Sequence, residues 1–221
     1  DDDDEEEEEE EGEALTPLHS TVLFSGGNFD GTYNAQPAHK PVQVYVPAAA
    51  QRVEIHALVS GHGWGRDAAD CAEFCETEHR FTFRSMALVG GERFVSRGHA
   101  QQSHVLAGAG SELGCALQVS EGVTPNQYGT WEYGRAGWCP GGAVLPWVGD
   151  VTAHVVPGLE GVVTYQGLYN GEEYEPTPCE GAQCASAGYP AQIRMQSLLV
   201  AYGPRPRPSA GRALPAQDEA S

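Results

Sequence analysis

The stretch Arg52-Val53-Glu54-Ile55-His56-Ala57-Leu58-Val59-Ser60 decides the fold. Its apolar residues recur at every second position, and Arg52, Glu54 and His56 lie between them. This alternation is typical of a β-strand with one buried face. The next five residues, Gly61-His62-Gly63-Trp64-Gly65, include three glycines. Because glycine weakens a strand interior, we predict that the strand ends before them.

Similar short patterns recur along the chain, with turn residues such as Gly90-Gly91 between them. We predict ordered structure from residues 18–24 onward, and further strands at residues 42–46, 80–88, 93–97, 151–156, 162–168 and 193–202. No window shows an amphipathic helical repeat of useful length. Seven or eight short strands joined by turns predict an all-β fold, an antiparallel β-sandwich (jelly roll) with disulfide-clipped loops.

The negative charge of the chain is concentrated at its start. The 221 residues carry a net charge of −19, and residues 1–13 hold four Asp, eight Glu and no basic residue. Removing those 12 acids from the total of 31 leaves 19 acids against 12 basic residues, a net charge of −7. With no basic patch to displace counterions, nucleic acid is excluded as a partner.

Three regions follow from this composition. We predict an acidic disordered spacer at residues 1–17, one jelly-roll domain at residues 18–204 and a disordered tail at residues 205–221. No apolar run approaches the ~20 residues of a membrane span. The sequence shows no signal peptide, so we expect a mature or truncated form of a longer precursor. We also expect a monomer.

Six cysteines in a chain of this size indicate an oxidising compartment. We therefore predict a protein that is secreted, periplasmic or anchored at the cell surface. Composition and spacing alone leave 15 possible disulfide pairings open.

The segment Cys71-Ala72-Glu73-Phe74-Cys75 places one carboxylate midway between two cysteines. A bond between Cys71 and Cys75 would require a turn or a single helical turn, since an extended strand would hold them roughly 13 Å apart. Such a clip either fixes Glu73 for a functional role or simply closes a loop.

A metal site is the alternative reading of the same segment. Cys71, Cys75 and His79 recur every four residues and, with His62, offer thiolate and imidazole ligands. We favour a disulfide and a hydrogen-bonded histidine instead. A copper site of the monooxygenase type would need a His-x-His pair, which the sequence lacks. We predict neither a metal nor a cofactor.

Aromatic residues on the glycine-rich segments suggest carbohydrate binding. They are Trp64, Trp131, Tyr133 and Trp138. Their rings could stack on sugar faces, while Glu73 and Arg135 hydrogen-bond the hydroxyls. Alternatively, some of the tryptophans cover the end of the sandwich core. A non-catalytic carbohydrate- or protein-binding module is therefore one candidate function.

Four motifs carry a resemblance to a known family. In order, they are Ser60-Gly61, the Cys71–Cys75 segment followed by His79, Leu113-Gly114-Cys115 and Arg135-Ala136-Gly137-Trp138-Cys139-Pro140-Gly141. Over residues 20–204 the chain resembles the second (C-terminal) domain of bacterial peptide-N-glycosidase F. That family belongs to a superfamily shared with copper-dependent peptidylglycine hydroxylating monooxygenases, which keeps a metal-binding monooxygenase-like domain as a further alternative.

The resemblance implies the chemistry and the site. The family, built of two adjacent jelly rolls, is a hydrolase that cleaves the glycosylamine C–N bond between Asn and the first N-acetylglucosamine of an N-glycan. It implies that Cys71 pairs with Cys75 and Cys115 with Cys139, which leaves Cys179 and Cys184 to each other. Glu73 falls on an active-site glutamate of the family, and Arg135 on an arginine near the cleft.

Two departures from the family bear on activity. Phe74 stands where the family has a tryptophan, and the family's principal catalytic aspartate lies in a first jelly roll that nothing before residue 20 can supply. We therefore expect these residues to recognise an N-glycan or glycoprotein, and to hydrolyse it if a first domain is present. Glu73 and Arg135 are the candidate catalytic residues. The candidate substrate-binding residues are His62, Trp64, Trp131 and Trp138.

Overall fold

The computed structural model describes residues 14–64, 66, 71–89, 92–95, 99–106, 115, 134–177 and 188–205. Within these ranges the chain forms nine β-strands and a few short 3-10 turns. The strands are β1 (Thr16–Asn28), β2 (Val42–Tyr45), β3 (Arg52–Trp64), β4 (Thr77–Val89), β5 (Glu92–Val95), β6 (Ala100–Leu106), β7 (Trp147–Asp150), β8 (Glu160–Tyr169) and β9 (Tyr189–Gly203).

The strands form two sheets in which every neighbouring pair is antiparallel. The first sheet has the order β1-β9-β3-β7. In the second sheet β2, β8 and β4 follow one another, and β4 pairs with β6 over its first half and with β5 beyond it. With the short β5 set aside, this is the strand order of a jelly roll. The predicted fold class is confirmed.

The core lies between the two sheets. From β3, the alternating residues Val53, Ile55, Ala57 and Val59 are all buried, as their period-two spacing predicts. The facing residues of the second sheet include Phe81 and Tyr165, whose ring centroids lie 5.1 Å apart. Each fully buried large side chain of this kind contributes about 1.5–3 kcal/mol through removal of apolar surface from water.

The prediction that β3 ends before Gly61 is wrong, because the strand continues to Trp64. Its glycines serve close packing. A Cβ on Gly61 would lie 1.7 Å from the carbonyl oxygen of Ala72, and Gly63 has a φ of +107°. The pairing of β3 with β9 is irregular between His62 and Trp64. Here glycine allows another segment to approach the strand.

Two other boundaries differ from the predictions. The strand expected at residues 151–156 is a 3-10 turn at Thr152–His154, and the strand of this region, β7, precedes it. Asp150 Oδ1 accepts a hydrogen bond from the backbone N–H of Thr152, which bends the chain away from the ladder. At the start of the described residues, β1 begins at Thr16 rather than near residue 18.

In the part of the chain that the structure describes, no helix has both the length and the apolar character needed to span a bilayer.

Candidate functional site

The Cys71–Cys75 segment forms a tight turn against the end of β3. A disulfide joins the two cysteines, whose Cα atoms lie 4.9 Å apart. Cys71 and Ala72 are almost completely buried, since the turn packs into the space that the missing side chain of Gly61 leaves open. The turn therefore belongs to the end of the core, and it fixes the backbone of Glu73.

A second clipped segment lies next to this turn. Cys139 is bonded to Cys115, with 5.3 Å between their Cα atoms. Both disulfides agree with the pairing that the family resemblance implies. The backbone N–H of Gly61 donates to the carbonyl of Ala136 at 2.8 Å, and the N–H of Ala136 donates to the carbonyl of Glu73 at 3.0 Å. These bonds link β3, the turn and the second segment.

Glu73 and Arg135 form a buried ion pair at the centre of this junction. The Arg135 Nε lies 3.3 Å from the Glu73 Oε1, and their side chains are only 3% and 12% exposed. The other carboxylate oxygen, Oε2, accepts the N–H of Gly63 at 2.9 Å. A carboxylate oxygen can accept more than one hydrogen bond, so a hydroxyl of a ligand could add to these contacts.

Phe74 fills the position that the family gives to tryptophan, and it keeps an aromatic face there. The guanidinium carbon of Arg135 lies 5.1 Å from the centre of the Phe74 ring. A cation over an aromatic ring is attracted by its quadrupole. The Phe74 ring therefore helps to hold Arg135 in place.

His62 and Trp138 form one wall of the site. Their rings stack with centroids 5.1 Å apart, and the indole N–H of Trp138 donates to the carbonyl of Gly61 at 2.8 Å. His62 Nε2 lies 2.9 Å from the Ser60 hydroxyl oxygen. Burial lowers the pKa of His62 below its usual value, and Arg194 lowers it further, whereas Glu73 acts in the opposite sense. The net effect favours the neutral form of the ring.

A cleft of about 400 Å³ opens beside this wall. Its described lining consists of His62, Gly63, Glu73, Tyr189, Pro190, Gln192 and Arg194. Four of these residues belong to β9 and were missed by the sequence analysis. They enter the site because Gln192 pairs with His62, and Arg194 with Ser60, across the first sheet. No local motif in residues 189–194 signals this placement.

Of the remaining aromatic candidates, the structure describes Trp64 and Trp138 but not the others. Trp64 is 43% exposed at the end of β3, and its strand partner Tyr189 is 68% exposed. Trp138 supports His62 rather than standing free in solvent. Trp131 and Tyr133 lie outside the described residues, as do Cys179 and Cys184 with their expected disulfide.

The alternative metal site built on Cys71, Cys75 and His79 is wrong. Both cysteines are engaged in the disulfide, and His79 is fully buried within β4. Its Nδ1 lies 2.7 Å from the Tyr165 hydroxyl and its Nε2 3.2 Å from the Thr77 hydroxyl. Burial, with smaller contributions from His104 and His39, lowers the pKa of His79 to about 3. It is a neutral hydrogen-bonded core residue.

The fold and the site together define a jelly-roll domain with a buried glutamate–arginine pair beside a disulfide-framed cleft. The family model for peptide-N-glycosidase F, C terminal, matches residues 32–200, so the chain belongs to that family. The resemblance drawn from the four sequence motifs is confirmed. A comparison with curated proteins finds no match.

Solved structures support the same fold. The chain is 17% identical to PNGase F, a glycosylasparaginase from Flavobacterium meningosepticum, with a TM-score of 0.53, and the match covers 87% of this chain and 54% of that one. It is 18% identical to a peptide-N(4)-(N-acetyl-beta-D-glucosaminyl) asparagine amidase, with a TM-score of 0.56 and coverage of 87% and 55%. The chain therefore spans about half the length of these structures.

Proposed function

We propose that this chain is an N-glycan-directed domain that binds glycopeptides or glycoproteins in the cleft beside Glu73. The observation that carries the proposal is the buried ion pair of Glu73 and Arg135 in a member of the peptide-N-glycosidase F C-terminal family. A solved relative is named as an amidase of N-acetylglucosaminyl asparagine. The two disulfides support an oxidising compartment, and we infer that the protein is secreted, periplasmic or at the cell surface.

The cleft offers the groups that carbohydrate binding requires. The carboxylate of Glu73 is held rigidly by Arg135 and Gly63, so it accepts hydrogen bonds from sugar hydroxyls without losing side-chain entropy. Neutral His62 provides a further donor or acceptor. Trp64 and Tyr189 are exposed at the neighbouring strand ends, where their rings can stack on a sugar face.

Hydrolysis of the glycosylamine bond is the second candidate function, and the same pair favours it. Amide hydrolysis requires a base that activates water and donors that stabilise the developing oxyanion. Among the described residues of the cleft, Glu73 is the only carboxylate, and both of its oxygens are already hydrogen-bonded. We therefore expect turnover only when a second acid or base is supplied from outside these residues.

The direct test is calorimetric titration with an Asn-linked glycopeptide and with the same peptide without its glycan. We expect the glycopeptide alone to bind, and we expect Glu73→Gln to weaken this binding at least ten-fold, the usual loss for a hydrogen bond to a charged group. The matched control is Glu172→Gln, which removes the same charge at an exposed site. Mass spectrometry of the peptide reports any conversion of Asn to Asp.

A second pair of variants separates binding from folding. Trp64→Ala and Tyr189→Ala change exposed side chains, so we expect unfolding free energies within about 0.5 kcal/mol of the unmodified protein. A loss of affinity in these variants would support the cleft. Equal binding of the peptide with and without glycan would contradict the proposal, and release of the glycan by this chain would favour the amidase.

A further inference from the structure

The charge of the cleft is unbalanced. Among the described residues that line it, Glu73 is the only acid, and its charge is already compensated by Arg135 from behind. Arg194 adds a second guanidinium at the open side of the cleft, where its side chain is exposed. Among the residues that the structure describes at the cleft, one guanidinium is therefore left uncompensated, although the whole chain carries a net charge of −19.

The position of Arg194 is fixed by the first sheet. Its neighbours in β9, Ile193 and Met195, point into the core, so the alternation of the strand turns Arg194 to the outer face. It stands opposite Ser60, two residues before His62, and it is close enough to His62 to oppose protonation of that ring. Rigid strands hold such a group more precisely than a loop would.

We propose that Arg194 is a specificity-determining residue that binds a carboxylate carried by the glycopeptide, so that the cleft prefers acidic to neutral ligands. This inference rests on the proposed function. A guanidinium donates two parallel hydrogen bonds to a carboxylate, a geometry that a sugar hydroxyl does not match. Such a contact gives the cleft a preference that stacking and hydroxyl binding alone do not provide.

Two neighbouring side chains suit this arrangement. Tyr189 lines the same cleft and is 68% exposed, so a sugar ring can stack on it while an attached carboxylate reaches Arg194. Gln192 lies between them along β9 and offers an amide to the remaining hydroxyls. The carboxylate can belong either to an acidic sugar of the glycan or to an Asp next to the glycosylated Asn.

The test compares four ligands built on one peptide. They are a neutral glycan on a neutral peptide, a glycan ending in a carboxylated sugar on the same peptide, the neutral glycan with Asp beside the glycosylated Asn, and the Asp-containing peptide without glycan. We expect one of the acidic glycopeptides to bind the unmodified protein roughly ten-fold more tightly than the neutral one. The ligand that gains identifies the source of the carboxylate.

Three variants assign the preference to Arg194. Arg194→Gln is expected to remove the gain, measured within that variant as the ratio of its affinities for the acidic and the neutral glycopeptide. Arg194→Lys is expected to retain only part of the gain, because an ammonium lacks the planar fork. The control is Arg52→Gln, which makes the same charge change at the opposite end of β3, and it is expected to keep the full gain.

The outcomes separate this inference from the proposed function. If acidic and neutral glycopeptides bind equally, or if Arg194→Gln keeps the preference, the role of Arg194 is refuted while glycan binding stands. If no glycopeptide binds more tightly than the peptide without glycan, the proposed function fails, and this inference fails with it.

Discussion

Glu73 has a position that favours binding over proton transfer. Each of its carboxylate oxygens accepts a hydrogen bond, one from Gly63 and one from Arg135. These contacts hold the carboxylate in one orientation. Replacing either member of so buried a pair would leave the other charge without compensation, which typically costs about 3–5 kcal/mol. Variants at this pair therefore require a stability measurement beside every binding measurement.

His79 gives a prediction for acid stability. Its pKa is about 3 in the folded protein because of burial, against 6.5 when the chain is unfolded. Between pH 6.5 and 3, His79 is protonated in the unfolded state and neutral in the folded state. The free energy of unfolding is therefore unaffected by His79 above pH 6.5. It decreases as the pH falls from 6.5 towards 3, by up to about 1.4 kcal/mol per pH unit.

Urea unfolding at several pH values measures this effect. We expect His79→Gln to be less stable at pH 7, because it disturbs a buried hydrogen bond to Tyr165, and to lose less further stability between pH 6.5 and 3. His154→Gln, at an exposed histidine, should keep the pH dependence of the unmodified protein. Identical pH slopes for His79→Gln and the unmodified protein would show that His79 is not the group responsible.

The two disulfides hold different elements, and we expect their removal to have different effects. In the chain-entropy model, the short Cys71–Cys75 loop contributes about 2 kcal/mol and the Cys115–Cys139 loop about 3.5 kcal/mol. Replacing both cysteines of a pair by Ala should therefore cost more stability at Cys115–Cys139. Ligand affinity should fall more after removal of Cys71–Cys75, because that turn carries Glu73.

Chemical denaturation and glycopeptide titration of the two double variants check this expectation. If the Cys71–Cys75 variant binds the glycopeptide as well as the unmodified protein, then packing against Gly61 is sufficient to hold the turn.

At the level of elements, the sequence pattern predicted those features of the strands that depend on neighbouring residues alone. The alternation in residues 52–60 correctly gave the inward face of β3, because burial of one face dictates that pattern. The extension through Gly61 and Gly63 was missed. Glycine is needed there because the backbones of Ala72 and Pro190 pack closely against these two positions, and both residues lie outside the local sequence pattern of β3. Likewise, Tyr189 and Arg194 reach the cleft through strand register, which no single segment encodes.

The candidate site likewise has one part that sequence motifs revealed and one part, on β9, that they did not. Glu73, Arg135 and the disulfides were found from ordered motifs, and the structure brings them together. The catalytic role of Glu73 and Arg135 stays a prediction.

At the scale of the whole molecule, the expected acidic spacer makes a simple prediction. β1 begins at Thr16, and the apolar strand residues of the first sheet follow it. We expect deletion of residues 1–13 to remove 12 acids without a loss of stability, and the midpoint of thermal unfolding to stay the same or rise, since self-repulsion decreases.

Deletion of residues 1–22 is the contrasting variant. It removes about half of β1 and its ladder with β9, so we expect a clear fall in the unfolding midpoint. A similar fall after deletion of residues 1–13 alone would mean that the acidic segment supports the folded domain.

The strand order of the first sheet affects how the chain can fold while it is being synthesised. β9 is the last of the described strands in chain order, yet it lies between β1 and β3. At a synthesis rate of 5–20 residues per second, β1 waits roughly 9–35 s for its partner to be synthesised. The pairing of β1 with β9 therefore cannot form until β9 has been synthesised. Until then the backbone N–H and C=O groups of β1 lack their partner strand, so β1 is open to pairing with the edge of another chain.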